Sequence, residues 1–274
     1  MKNKLITYPY MIWMILFIVV PIFLVLSYSI TYKDDSGLTF TLAHYKRFFD
    51  PLYINVFIHS INLALISTVI CLVLGYPMAM IIAKASNRNR NMMVLFFVIP
   101  MWMNFLLRTY AWMSLLERSG LINKFLKLLH LPTLNIMYTN GAVVLGMVYN
   151  FLPFMVLPIY SVLIKIDRNL IEAAQDLGAN ELEVFLKVTL PLSLPGVISG
   201  FIMVFMPAIT TFVISRLLGG GQFTLIGNLI EQQFLTAGDW NFGSAISMLM
   251  LMLILLSSLI LSKYDKDKEG VGLW

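Results

Sequence analysis

Six stretches of this chain are apolar for long enough to cross a bilayer, at about residues 9–30, 58–83, 92–116, 141–164, 196–218 and 243–261. A helix needs roughly 20 residues at 1.5 Å rise to cross about 30 Å of hydrocarbon. Composition points to lipid as the solvent. Of 274 residues, 59% are hydrophobic and 12% are charged, about half the charged share of a soluble domain. Mean hydropathy is +0.83. The expected fold is an all-α polytopic membrane protein with six transmembrane helices. Lys2 and Lys4 precede the first segment, as in a secretory leader. Its apolar run is too long for one and no small-x-small cleavage site follows, so it reads as a retained span.

Basic residues orient such a bundle, because their excess lies on the cytoplasmic side. With both termini inside, Lys2, Lys4, Lys84, Arg88, Arg90, Lys165, Arg168, Lys187, Lys263, Lys266 and Lys268 are cytoplasmic. Only Lys33, Lys46, Arg47, Arg118, Lys124 and Lys127 are then outside, and the outer loop 219–242 has no Lys or Arg. The net charge of +5 follows from this topology and needs no nucleic acid. A multi-pass protein of a bacterial inner membrane is expected.

This orientation makes the insert between spans four and five cytoplasmic. Asn169 with Glu172, and Asn180 with Glu183, have the spacing of capping boxes, so each is expected to start a short helix. Gly178 between them suits a left-handed turn. Pro191 and Pro195 are expected to stop the helical run and lead into span five. Two short helices along the membrane face result. From periodicity alone this is equally an amphipathic loop, but the small pair Ala173 and Ala174 beside Glu172 leaves room for a partner to approach.

The run Glu172-Ala173-Ala174, three residues, Gly178, nine residues, Val188-x-Leu190-Pro191 resembles the EAA loop of bacterial ABC importer permeases, with Val188 where Ile is usual. The resemblance implies a type I (MetI-like) importer fold whose loop forms coupling helices seated in an ATPase subunit. Glu172, Ala173, Ala174 and Gly178 carry over as the ATPase-docking residues. It also implies a division into a first helix and outer loop (1–57), a five-helix core (58–262) with its coupling loop at 169–191, and a cytoplasmic tail (263–274).

A second block, Pro100-Met101-Trp102-Met103-Asn104-Phe105-Leu106-Leu107-Arg108-Thr109-Tyr110-Ala111-Trp112, is similar to the third span of PotB-type permeases of spermidine/putrescine importers. Gly120-Leu121-Ile122-Asn123, Leu152-Pro153-Phe154-Met155 and Pro158-Ile159-Tyr160 continue the likeness, which covers about residues 5–262. Implied partners are a second, PotC-like permease, two cytoplasmic ATPase subunits and an extracytoplasmic polyamine-binding protein. Relatives for another small cation or organic solute, thiamine-like or an iron complex, share parts of this block.

The chain does not carry its own motor. There is no G-x-x-x-x-G-K-[ST] phosphate loop, and Gly219-Gly220-Gly221 lacks the following Lys. A membrane-embedded enzyme is disfavoured, because His44, His59 and His130 are scattered and no H-x-x-x-H or G-x-S-x-G spacing occurs. The single Cys71 excludes an internal disulfide, and no metal or cofactor is expected.

A path for a flexible polycation needs carboxylates for its amines and aromatic faces along its methylenes. Trp102, Tyr110, Trp112, Tyr149, Glu231, Asp239 and Trp240 are the residues of those types. The alternatives are interfacial anchoring for Trp112 and Trp240 and plain solvation for the two acids. Arg108 lies within span three, where charge is costly. It reads as structural or gating, as a contact to the partner permease, or as a snorkelling side chain. Arg216 can pair with Glu231 across one loop. His59, Asn62, Ser67 and Thr68 are expected to bond between helices or to backbone. Gly196 and Gly200 permit a close helix contact. Pro77, Pro153, Pro158 and Pro207 can bend their helices.

Overall fold

The computed structural model describes residues 4–34 and 37–269. Lys2 and residues 270–274 of the expected tail lie outside the described residues. The first span is α1 (Lys4–Met14), a π turn (Ile15–Val19) and α2 (Val20–Ile30). A short antiparallel hairpin follows, β1 (Thr31–Asp34) with β2 (Gly37–Phe40), pairing Thr31 with Phe40. It is a small strand element that the helical reading had not anticipated. Next come α3 (Ala43–Phe48), α4 (Pro51–Lys84), α5 (Asn87–Trp102), α6 (Phe105–Leu116) and α7 (Leu121–Leu128). The chain continues through α8 (Asn140–Leu163), α9 (Arg168–Asp176), α10 (Glu181–Val184), a π turn (Phe185–Thr189) and α11 (Leu190–Thr210). It closes with α12 (Val213–Leu218), α13 (Ile226–Gln232), a π turn (Gln233–Ala237) and α14 (Trp240–Glu269).

Among the described residues, five helical stretches are long and apolar enough to span a membrane: Tyr8–Ile30, Pro51–Lys84, Asn140–Leu163, Glu181–Thr210 and Trp240–Leu259. The sixth is broken. Asn87–Trp102 and Phe105–Leu128 meet at 93°, where sequence reading had placed one straight span over 92–116. The cause is local. Met103 and Asn104 are extended, and the Asn104 side chain accepts the Leu106 N–H at 2.8 Å, starting a new helix. Asn is among the best residues for that task.

Two expected helix stops do not occur. Helix runs without interruption from Glu181 through Pro191 and Pro195 to Thr210. In the π turn the Leu190 N–H bonds the Phe185 carbonyl five residues back. The wider turn accommodates a proline, which has no N–H and crowds the carbonyl four residues earlier. The first span repeats this device, with Val20 bonded to the Ile15 carbonyl just before Pro21. α4 and α8 likewise stay helical through Pro77, Pro153 and Pro158.

The core is built where α4, α8 and α11 pack together, with Ala64, Cys71, Met147, Met155, Ile159, Val204 and Ala208 buried. Lipid removes most of the hydrophobic drive between such helices, so close packing of small residues carries the association. Gly196 and Gly200 provide it. A Cβ on Gly196 would lie 2.9 Å from the Pro158 carbonyl oxygen and 3.0 Å from the Ile159 Cα, both backbone atoms that cannot swing away. Gly196→Leu is therefore expected to destabilise the protein by about 1–3 kcal/mol, read as a lower melting temperature in detergent. Gly141→Ala, whose added Cβ meets nothing nearer than 3.5 Å, is the matched control and should leave it unchanged.

Polar side chains lock this frame. Thr68 donates to the Ala64 carbonyl at 2.7 Å, and Ser67 to the Met147 sulfur at 3.3 Å. Tyr76 and Ser193 bond at 2.7 Å between α4 and α11. The Ile226 N–H bonds Ser60 at 2.8 Å, tying α13 to α4. Asn241 donates to the Tyr28 and Thr31 carbonyls, joining α14 to the end of the first span. His59 and Asn62 differ from expectation: neither side chain is hydrogen-bonded among the described residues, and His59 instead meets Phe223 edge-on at 5.5 Å.

Candidate functional site

The segment between α8 and α11 is assembled from two caps. Asp167, not Asn169, starts α9, its carboxylate accepting the Asn169 N–H at 3.0 Å. The expected box of Asn169 with Glu172 does not form; a single side-chain cap two residues earlier starts the helix instead. At the other end, the Ala179 N–H bonds the Ala174 carbonyl at 3.1 Å and the Gly178 N–H bonds the Gln175 carbonyl at 2.8 Å. With Gly178 at φ +87°, this is a Schellman motif, which needs a left-handed residue at that position. Ala174 and Gly178 are therefore two ends of one structure, which gives their fixed spacing a physical reason.

The second cap is the capping box read from sequence. Asn180 accepts the Glu183 N–H at 2.9 Å and Glu183 accepts the Asn180 N–H at 3.1 Å. Lys187 adds an ion pair to Glu183 at 3.0 Å. α10 is not a separate helix along the membrane but the start of the fifth span.

Between and around these caps the surface is open and apolar. Leu177 is 90% exposed, and Leu170, Leu182 and Leu186 are exposed as well. Glu172 and Ala173 are exposed, and Glu172 has no ion pair among the described residues. A cluster of exposed leucines around an unpaired carboxylate is a surface suited to a protein partner.

At the other end of the bundle Glu231 and Asp239 are each held by an arginine. Arg216 Nη1 donates to Glu231 Oε1 at 3.1 Å, the pairing expected from sequence. Nη2 also lies 2.8 Å from Oε2, a charge contact without hydrogen-bond alignment. Glu231 is mostly buried, its side chain 15% exposed, whereas Arg216 is open. Arg47 Nη1 donates to Asp239 at 2.8 Å and Nη2 to the Tyr53 hydroxyl at 3.2 Å, while the guanidinium lies 4.1 Å from the Phe242 ring. Burial opposes the Arg47 charge, but the bonds to Tyr53 and Asp239 outweigh it and raise its pKa above the ordinary value.

The aromatic candidates form pairs rather than one ring. Trp112 meets Tyr149 at 5.2 Å across α6 and α8. Trp240 meets Phe234 at 5.5 Å and Tyr28 at 6.4 Å. Trp102, 80% exposed at the end of α5, and the exposed Tyr110 make no ring contact among the described residues. Arg108 is 8% exposed, and its Nε is enclosed without an acceptor. It is buried rather than snorkelling.

Residues 72–266 match the family described as binding-protein-dependent transport system inner membrane component. The chain belongs to that family. It is similar to the spermidine/putrescine transport system permease protein PotB of Escherichia coli K12, at 42% identity over 90% of this chain and 92% of that one. The PotB protein of Haemophilus influenzae is 39% identical, over 93% of this chain and 91% of its own. Among solved structures, a bacterial alginate ABC transporter in complex with an alginate pentasaccharide-bound periplasmic protein superposes with a TM-score of 0.75 at 16% identity. That match covers 98% of this chain and 95% of the other.

As a binding-protein-dependent transport component, the chain is a multi-pass membrane permease of type I ABC importer fold and not an enzyme. Residues that sequence reasoning missed in this permease are Arg47, which neutralises Asp239 from 192 residues away, and the cap residue Asp167. Arg47 carried a signal only as one of few outer cations. If the Arg216–Glu231 pair shapes the outer mouth, reversing either charge alone should lower uptake about tenfold, and exchanging both should restore it. A double exchange as inactive as the singles would contradict that role.

Proposed function

We propose that this chain is a permease subunit of an ATP-driven importer that carries spermidine and putrescine into a bacterial cell. The observation that carries this reading is the likeness to the Escherichia coli permease along nearly the whole of both chains. Both termini are cytoplasmic in this reading, with 1–57 as leading helix and outer loop, 58–262 as the transport core and 263–274 as the tail. Two ATPase subunits supply the energy, a second, PotC-like permease completes the path, and an extracytoplasmic binding protein delivers the polyamine.

The mechanism is alternating access. Closure of the ATPases moves α9 through the contact made by Glu172, Ala173, Ala174 and Gly178, and the bundle opens inward. The Asp167 cap and the Schellman turn at Gly178 make α9 a stiff lever, which transmits displacement better than a frayed loop. On the outer side, a polyamine ammonium competes with Arg47 and Arg216 for Asp239 and Glu231. Exchange of one cation for another at a carboxylate avoids leaving a charge bare in a poorly solvated site. Trp112 with Tyr149, and Trp102, Tyr110 and Trp240, offer faces to the methylenes and ammonium groups.

Arg108 takes no direct part in holding a polycation, since like charges repel. It sits four residues into α6, near the positive end of the helix dipole, with no acceptor for its Nε. The enclosed Nε is out of a partner's reach, so an anionic or carbonyl group of the second permease would meet its terminal nitrogens.

Uptake assays in cells lacking their own polyamine importers test the substrate. With the partner subunits expressed, labelled spermidine is expected to accumulate, and unlabelled putrescine and spermine to compete. Accumulation of no polyamine by an assembled, membrane-inserted complex would sink the substrate claim and leave the family unchanged.

A further inference from the structure

Between α9 and the ends of α4, α5 and α8 lies an open cleft of about 960 Å³. Lys84, Arg90 and Arg168 line it from three separate segments, against a single carboxylate, Glu181. Lys84 and Arg168 are exposed and form no ion pair among the described residues. Arg90 is fixed in place by neutral groups: Nη1 donates to the Asn87 side chain at 3.1 Å, and Nη2 to the Ala85 carbonyl at 3.0 Å and the Ala83 carbonyl at 3.4 Å. Its Nε is enclosed without an acceptor. A guanidinium held rigid by neutral partners keeps its full charge directed at the cleft. The rest of the wall mixes polar side chains, among them Ser86, Asn87, Gln175 and Thr189, with an apolar part that includes Met80, Leu163, Ile164 and Phe185.

Three cations over a partly apolar wall match an amphiphile with an anionic head. Guanidinium and ammonium groups together bind phosphate through charge-assisted hydrogen bonds. They sit at the end of α4, near the start of α5 and at the start of α9, the level of lipid headgroups, where clustered Lys and Arg favour anionic lipids. Inorganic phosphate would leave the apolar part of the wall unused.

We propose that the cleft holds an anionic phospholipid of the cytoplasmic leaflet, its phosphate among Lys84, Arg90 and Arg168 and its upper acyl chains against Met80, Leu163, Ile164 and Phe185. This rests on the orientation given under Proposed function, which makes this face cytoplasmic. The lipid fills the space between the coupling helix and the helix core. It therefore stiffens the connection through which α9 moves the bundle, and makes coupling depend on membrane composition.

The test is native mass spectrometry of the purified, assembled transporter supplied with phosphatidylglycerol or phosphatidylcholine. The wild type is expected to retain phosphatidylglycerol at least about tenfold better than phosphatidylcholine. The double variant Lys84→Gln/Arg168→Gln should lose that preference while keeping its melting temperature, because both side chains are exposed. Millimolar inorganic phosphate should not displace the bound lipid. Equal retention of the two lipids, an unchanged preference in the double variant, or displacement by inorganic phosphate would each overturn the proposal. Lipid retention is read without any polyamine, so its failure is distinct from a failure of the transport reading.

Discussion

Glu172→Lys is expected to cut ATP-driven uptake about a hundredfold or more, with the protein still inserted and its melting temperature unchanged. Glu172 is exposed and takes part in no ion pair among the described residues, so the isolated chain loses nothing by the change. On the proposed docking, what it loses is a charge at the partner surface, where disrupting a desolvated pair costs about 2–5 kcal/mol. That range corresponds to tenfold for every 1.4 kcal/mol. ATPase activity in the assembled complex should stop responding to the loaded binding protein. Gly178→Val should act on the same surface by another route. A Cβ there would meet nothing within 4 Å, yet φ is +87°, and a left-handed conformation costs a non-glycine residue about 1–2 kcal/mol, more if β-branched. Normal coupling in both variants would show that this segment is not the docking site.

Arg108→Leu should separate folding from assembly. The side chain is 8% exposed with an enclosed, unpaired Nε, which makes its charge a burden on the isolated chain. The leucine variant alone is expected to be as stable as the wild type or more so, by thermal unfolding in detergent. Its binding to the second permease should weaken by about 3–5 kcal/mol, since the partner's acceptor is then left bare. A titration of one detergent-solubilised permease against the other measures this. A marked fall in the melting temperature of the isolated chain would instead place the acceptor of Arg108 within this chain.

Five of the six expected spans were legible because the hydrocarbon thickness imposes one simple rule, a long apolar run. Interruptions within a run follow subtler physics. The 93° bend in the third span depends on Asn104 capping a new helix from inside an apolar stretch, where its single polar side chain hardly alters hydropathy. Pro191 and Pro195 looked like stops because a proline normally excludes the α-helical bond pattern. The π turn at Phe185–Thr189, invisible in composition, removes the conflict at Pro191, while Pro195 is simply carried inside α11.

The candidate site divides in the same way. The box of Asn180 with Glu183 and the turn at Gly178 are local, so residue spacing was enough to find them. Arg216 with Glu231 could be guessed across a short loop. Arg47 with Asp239 could not, since 192 residues separate them and only the packing of α3 against α14 brings them together. That pair also bears on the proposed path: both acids set aside for a polycation already hold an arginine. On that proposal a polyamine exchanges with a resident cation rather than meeting a free carboxylate.

The most direct measurement is accumulation of labelled spermidine in proteoliposomes that hold this chain with its second permease, its ATPases and a loaded binding protein outside. Uptake that requires ATP inside, saturates with the loaded binding protein and disappears with Glu172→Lys is the result expected. Efficient ATP hydrolysis stimulated by the binding protein, with no spermidine or putrescine entering, would contradict the assignment of polyamines as the cargo.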